Sequence, residues 1–129
     1  MKYLIDTDWI IFGLRGEKNI VSKLFELREE GLAISVISLA ELYEGVYRST
    51  DPVSNERSIS DFLTGVSVLE ITNEICKIFG KQRAKLRKEG RLIGDLDLLI
   101  ASTCFHHGLI LITNNIKHFE LVEGLNILK

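Results

Sequence analysis

Three short apolar runs, each closed by polar residues, constrain this chain more than any other feature. Tyr3-Leu4-Ile5 stops at Asp6-Thr7-Asp8, residues 32–37 stop at Ser38, and residues 109–112 stop at Thr113-Asn114-Asn115. Near-continuous apolar runs of this length suit strands buried on both faces, as in a parallel sheet. Parallel neighbours need crossovers, and the intervening sequence has the helical period that crossovers use. Residues 9–14 fit a short helix ended near Gly16; Ile20, Val21, Leu24, Phe25 and Leu27 fit a second, stopped by Gly31. Residues 38–48 form a third, opened by Ser38-Leu39-Ala40-Glu41. Residues 49–55 are polar, contain Pro52 and read as a loop, with a short helix around Ile59, Phe62 and Leu63 behind it. Residues 66–69 suggest a brief strand or an extended connection, and residues 125–128 a last strand. A long helix over 73–89 carries Ile75, Ile78, Phe79, Gln82 and Leu86 on one face, and an apolar, central helix spans 95–107. The alternation predicts an α/β fold of three layers, α/β/α, around a central, mainly parallel sheet.

At 129 residues, with one proline, no low-complexity stretch and 46% hydrophobic residues, the chain reads as a single domain over residues 1–129. A net charge of -2 excludes a protein that grips nucleic acid by overall positive charge, so any such surface is local. Cys76 and Cys104 match no zinc or redox spacing and read as two buried thiols in a reducing compartment. Charge interrupts the N-terminus too early for a signal peptide, and no apolar run reaches the ~20 residues of a membrane span. The expectation is a cytoplasmic protein.

In parallel α/β sheets, active sites lie beyond the carboxyl ends of the strands. Asp6 ends the first run, Glu41 lies one turn into the helix after the second, and Asp97 lies in the first turn of the central helix. Each has a plain structural use. Asp6 or, better, Asp8 caps the helix from Trp9. Glu41 closes a Ser38-x-x-Glu41 capping box. Asp95 or Asp97 complements a helix dipole. Together they form an acidic rim among apolar neighbours. Like charges so gathered are relieved by a cation, and acids without histidine or cysteine partners favour Mg²⁺ or Mn²⁺ and a phosphodiester substrate.

Four ordered blocks carry a resemblance. They are Tyr3-Leu4-Ile5-Asp6-Thr7; Ser35-Val36-Ile37-Ser38-Leu39-Ala40-Glu41-Leu42-Tyr43-Glu44-Gly45; Ile93-Gly94-Asp95-Leu96-Asp97-Leu98-Leu99-Ile100-Ala101; and Gly108 to Asn115 followed by His118-Phe119. The set resembles PIN-domain ribonucleases of the VapC toxin type, which are paired with VapB antitoxins. The resemblance implies catalytic, metal-binding acids at Asp6, Glu41 and Asp97, and a Mg²⁺- or Mn²⁺-dependent endoribonuclease that cuts structured RNA such as tRNA or ribosomal RNA and blocks translation. It also implies a homodimer, inhibited by a VapB-like antitoxin. Asp95 stands as a cap or auxiliary outer-sphere ligand, Thr113 as a hydrogen-bonding aid to the cluster. Asn115 occupies the fourth acidic position, which departs from a fully acidic second metal site.

The basic run from Lys77 to Arg91 offers the best phosphate contact, with Lys81, Arg83 and Arg87 foremost, against the alternative of a solvated helix face. Trp9 and Phe12, near the first acid, are read as packing in the core or at a subunit interface in preference to stacking on a base. His106 and His107 lie at a helix C-terminus, His118 is expected on the surface, and none is given a chemical role. Two other readings compete. Asp6-Thr7-Asp8 after an apolar strand is similar to the nucleophile motif of haloacid-dehalogenase-like phosphatases, although Ile10 replaces the expected threonine or valine. A catalytically degenerate PIN module that only binds protein is the other.

Overall fold

The structure, a computed structural model, describes residues 1–129. Four strands, β1 (Tyr3–Ile5), β2 (Leu32–Ser35), β3 (Val66–Leu69) and β4 (Ile110–Ile112), form one sheet in the order β3-β2-β1-β4. Every pairing is parallel, with Tyr3 opposite Leu32 on one side and Ile110 on the other. The chain therefore builds outward from β1 through β2 to β3, then crosses back to place β4 on the other side of β1. Such a reversal opens a crevice at the carboxyl ends of the two strands that flank it.

The strands alternate between two cores, as a period of two requires. Tyr3, Ile5, Leu32, Ile34 and Ile112 join one buried cluster, with Ile10, Ile20, Leu24, Leu42, Val46 and Ile59. Leu4, Ala33 and Leu111 join the other, with Leu86, Leu98, Ile100 and Phe119. The first cluster lies under α1 (Thr7–Leu14), α2 (Lys18–Leu27), α3 (Val36–Arg48) and α4 (Pro52–Phe62); the second lies under α5 (Asn73–Lys88), α6 (Asp95–His107) and the short α7 (Ile116–Phe119). This is the expected three-layer α/β/α arrangement. Gly31 sits at φ 96°, where a side chain would meet the Met1 backbone at 2.6 Å. Its carbonyl accepts from both Lys2 N and Tyr3 N at 3.1 Å, which sets the start of β1 beside β2.

Several boundaries differ from the sequence reading. The second strand ends at Ser35, and α3 begins at Val36, because the Ser35 hydroxyl caps the helix by accepting from Ile37 N at 3.0 Å. The Ser38–Glu41 capping box is thus not formed. Residues 52–55 belong to α4 rather than a loop: Pro52 opens the helix, where its missing N–H costs nothing, and Asp51 accepts from Ser54 N. Residues 125–128 contribute only an isolated bridge between Leu111 and Ile127. Cys104 is buried, and burial pushes its thiol pKa up, but Cys76 is exposed, on the outer face of α5. No helix is long and apolar enough to cross a membrane.

Candidate active site

The site is built from the ends of β1 and β4, the first turns of α1 and α6, the second turn of α3 and the short α7. Asp6 immediately follows β1 and is the N-cap of α1, so Asp8 is not the cap; Asp6 Oδ1 accepts from Thr7 N at 2.9 Å. Its Oδ2 accepts from the Thr113 hydroxyl at 2.7 Å, a buried bond between the carboxyl ends of β1 and β4. Thr113 Oγ1 in turn accepts from Asn115 N at 3.0 Å, which turns the chain away from the sheet. Thr113 therefore holds the Asp6 carboxylate through its hydroxyl.

Glu41 reaches the same place from α3. Its Oε1 lies 2.7 Å from the Thr7 hydroxyl, which also lies 2.8 Å from the Ser38 hydroxyl. A carboxylate only accepts, so Thr7 donates its single hydroxyl hydrogen to Glu41, and Ser38 completes the chain. Thr7 thus joins two candidate acids, giving its backbone N–H to Asp6 and its side chain to Glu41. Asp8 serves a different purpose: Oδ1 accepts from Trp9 N at 2.7 Å and Oδ2 from Asn114 N at 3.1 Å, pinning α1 to the loop after β4.

Asp97, at the start of α6, is half-buried and meets His118 of α7, with Nε2 3.0 Å from Oδ2. Asp95 does not cap α6; Gly94 holds that position, and Asp95 pairs instead with Arg83 of α5 at 2.6 Å. Asn115 is the N-cap residue of α7 without a side-chain cap bond, and it is exposed. Of the proposed phosphate contacts, Lys81 and Arg87 are exposed and free of ion pairs. Arg83 is largely covered, lies over the Phe79 ring and is committed to Asp95, with its buried Nε lacking any partner. Thr7, Ser38 and His118 are not among the site residues the sequence points to, and for Asp8 it offers a helix cap or the second acid of a phosphatase-like motif. The sequence signals are Thr7's place between two acids, Ser38's spacing from Glu41, and His118's position at the end of the fourth resemblance block.

Burial pushes the Asp6 carboxyl up to about 6, the charges of Asp8 and Asp97 add to the rise, and the bonds from Thr113 and Thr7 oppose it. Burial likewise raises Asp8, with Asp97 again contributing. No lysine or arginine pairs with Asp6, Asp8, Glu41 or Asp97. Nor does any group of three or more His, Cys, Asp or Glu gather at metal-ligand distance. Asp6 and Glu41 are held through hydroxyls and Asp97 through His118, and Asp8 and Asp97 repel the Asp6 charge, so the acids do not form a closed cage. That donor set, all hard oxygen and short of positive charge, fits a divalent ion that takes one or two carboxylates and completes its shell with water and phosphate, as Mg²⁺ does.

A parallel sheet in this order, with acids and a threonine at its carboxyl edge, defines a class, and the comparisons agree. The PIN domain family model matches residues 3–125. The chain belongs to the PIN-domain family and is homologous to VapC toxins of VapBC toxin–antitoxin systems. "Ribonuclease VapC2" of Haemophilus influenzae is 34% identical, over 97% of this chain and 95% of that protein. "tRNA(fMet)-specific endonuclease VapC" of Shigella flexneri is also 34% identical, with the same coverage of both chains. Among solved structures, VapBC2 from Rickettsia felis bound to a DNA fragment from its promoter superposes with a TM-score of 0.93 at 30% identity, covering 99% of this chain and 98% of that one. The phosphatase reading is left without support: both oxygens of Asp8 are occupied by backbone N–H groups, so it is not poised as a free general acid.

Proposed function

We propose that this chain is a divalent-metal-dependent endoribonuclease, the toxin of a type II toxin–antitoxin pair, with Asp6, Glu41 and Asp97 as its working acids. The observation that carries this reading is the unneutralised acidic edge around Asp6, whose carboxyl is pushed up to about 6 by burial and like charge. The ribonuclease names of homologues that span nearly its whole length support it.

Asp6 and Asp97 would hold Mg²⁺ or Mn²⁺, which when bound supplies charge neutralisation and water activation at a phosphodiester. The chain's own groups prepare that step. Thr113 and the Thr7 backbone fix the Asp6 carboxylate, and Thr7 with Ser38 fixes Glu41, so neither acid needs to reorganise when substrate arrives. Glu41 Oε2 has no protein partner and is available to accept a hydrogen from the attacking water. His118 holds Asp97 in place. In-line attack at phosphorus leaves a 5′-phosphate on one product and a 3′-hydroxyl on the other. The RNA substrate, of the tRNA or ribosomal RNA class, is placed against Lys81 and Arg87, with Arg83 serving to pin Asp95. A VapB-like antitoxin belongs to the same reading, by analogy with the VapBC2 complex of Rickettsia felis; the homodimer is carried only by the family resemblance.

The test is incubation of the purified chain with a tRNA pool in Mn²⁺ and in EDTA. Cleavage confined to Mn²⁺, with 5′-phosphate ends by sequencing and no turnover of an aryl phosphate, is the expected result. Absence of cleavage across tRNA and ribosomal RNA substrates would sink the proposal. In the same preparation, Lys81→Glu together with Arg87→Glu weakens RNA binding more at low salt than at high salt, because phosphate contacts release counterions. Equal affinity at both salts removes these two residues from the interface.

A further inference from the structure

Beside the acids, on the β4 side of α1, lies a groove of about 450 Å³. Trp9 and Phe12, one helical turn apart on α1, line it together with Thr113, Asn114 and, from α2, Lys23. The indole is oriented, not loose: Trp9 Nε1 donates to Asn114 Oδ1 at 2.9 Å. Asp8 holds Asn114 from its backbone side at 3.1 Å, so the aromatic wall and the loop after β4 are tied together. The same loop begins with Thr113, whose hydroxyl carries Asp6. A ligand in the groove is therefore held directly beside the reacting edge of the sheet.

We propose that this groove is a nucleobase subsite, taking one unstacked base of a single-stranded RNA segment against Trp9. The inference rests on the nuclease reading above and names where that substrate is recognised. A base needs a flat apolar surface for its face and a donor or acceptor for its edge. Trp9 provides the first, and the Asn114 amide nitrogen, which has no protein partner, provides the second. The volume suits a small flat ligand and lies within the ordinary range of small-molecule sites. Lys23 lines the groove, and its only ion pair, a surface contact of 3.5 Å to Glu26, gives way readily to a phosphate. The lining offers Lys23 and Lys129 for a phosphate, beside one acid, Glu17, and the neutral aromatic and amide groups of Trp9, Phe12 and Asn114 for a base.

Trp9 is the chain's single tryptophan, so its emission reports this groove alone. The full chain is titrated in EDTA, where no cleavage occurs, with a short single-stranded oligoribonucleotide and with an abasic oligomer of equal length and charge. A fluorescent label on the oligomer gives affinity independently by anisotropy. The expected result is quenching by the base-bearing oligomer and little by the abasic one. Trp9→Ala should weaken the labelled oligomer by about fivefold or more, and Trp9→Phe should recover most of the loss. If Trp9→Ala does not fold, Lys23→Glu, a change to the groove lining that leaves the tryptophan intact, carries the same affinity test. Unchanged emission at saturation, an equal response to the abasic oligomer, or no binding at all overturns the subsite. So does sedimentation showing that Trp9→Ala converts a dimer to a monomer with RNA affinity unchanged, since Trp9 then packs on a second copy. Cleavage in Mn²⁺ without a change of emission in EDTA rejects the subsite alone, whereas quenching without any cleavage rejects the nuclease reading.

Discussion

Asp97→Asn is expected to abolish RNA cleavage while leaving the fold and its melting temperature close to those of the parent. Asp97 is half-buried, and its structural contact is a single bond to His118, which an asparagine oxygen can still accept. Stability therefore changes little. Activity is another matter, since an amide carries no charge to hold a cation. Loss of an outer partner of a metal ligand commonly costs about 10–100-fold, so loss of a charged ligand itself should exceed ~100-fold. Single-turnover cleavage in Mn²⁺, with circular dichroism to verify folding, measures both. Activity within tenfold of the parent would remove Asp97 from the chemistry. Excess Mn²⁺ should not rescue the variant, which separates a missing ligand from a merely weakened site.

Asp6→Asn is expected to do the opposite to stability: it should make the metal-free protein more stable at pH 7. The Asp6 carboxyl is raised from 3.8 to about 6 in the folded protein, chiefly by burial, so the folded state holds its proton more tightly than the unfolded chain does. The contribution of this group is then fully present below the unfolded value and is lost as pH rises through the folded one. At about 1.4 kcal/mol per unit, the penalty at neutral pH is on the order of 3 kcal/mol, a fifth or more of a typical domain's stability. In EDTA the two proteins should be alike near pH 4, and the variant should gain steadily up to pH 7. Mn²⁺ at pH 7 should raise the melting temperature of the parent and not of Asp6→Asn. Parallel stability curves from pH 4 to 7 would show that Asp6 carries no such burden.

The contrast between these two acids shows what the sequence could and could not disclose. Asp6 was legible because it stands at the end of a strand whose apolar run is unmistakable, and strand ends converge in a parallel sheet. Glu41 was legible as a residue but not in its bonding. Ser38-x-x-Glu41 has the local spacing of a capping box, yet both side chains turn to Thr7, a residue 34 positions from Glu41. Ser35 takes the cap instead. Local pattern cannot tell a helix cap from a tertiary bond when the residue types are the same. The start of α4 was hidden by its polarity, since only Ile59 of that helix is buried. His118 was hidden because nothing near it in sequence signals a partner 21 residues away. Arg83 belonged to a basic run that looked uniform until Asp95 claimed it.

The bond between Asp6 and Thr113 spans 107 positions and joins the first strand to the last. A chain emerging from the ribosome presents Asp6 and Glu41 long before it presents the threonine that fixes the acid, and β1 cannot gain its second neighbour until β4 exists. Contacts of such separation form late, and domains mature as units when their final pieces arrive. On the proposed nuclease reading, the hydrogen bond that fixes Asp6 therefore cannot form until the residue after β4 has been made.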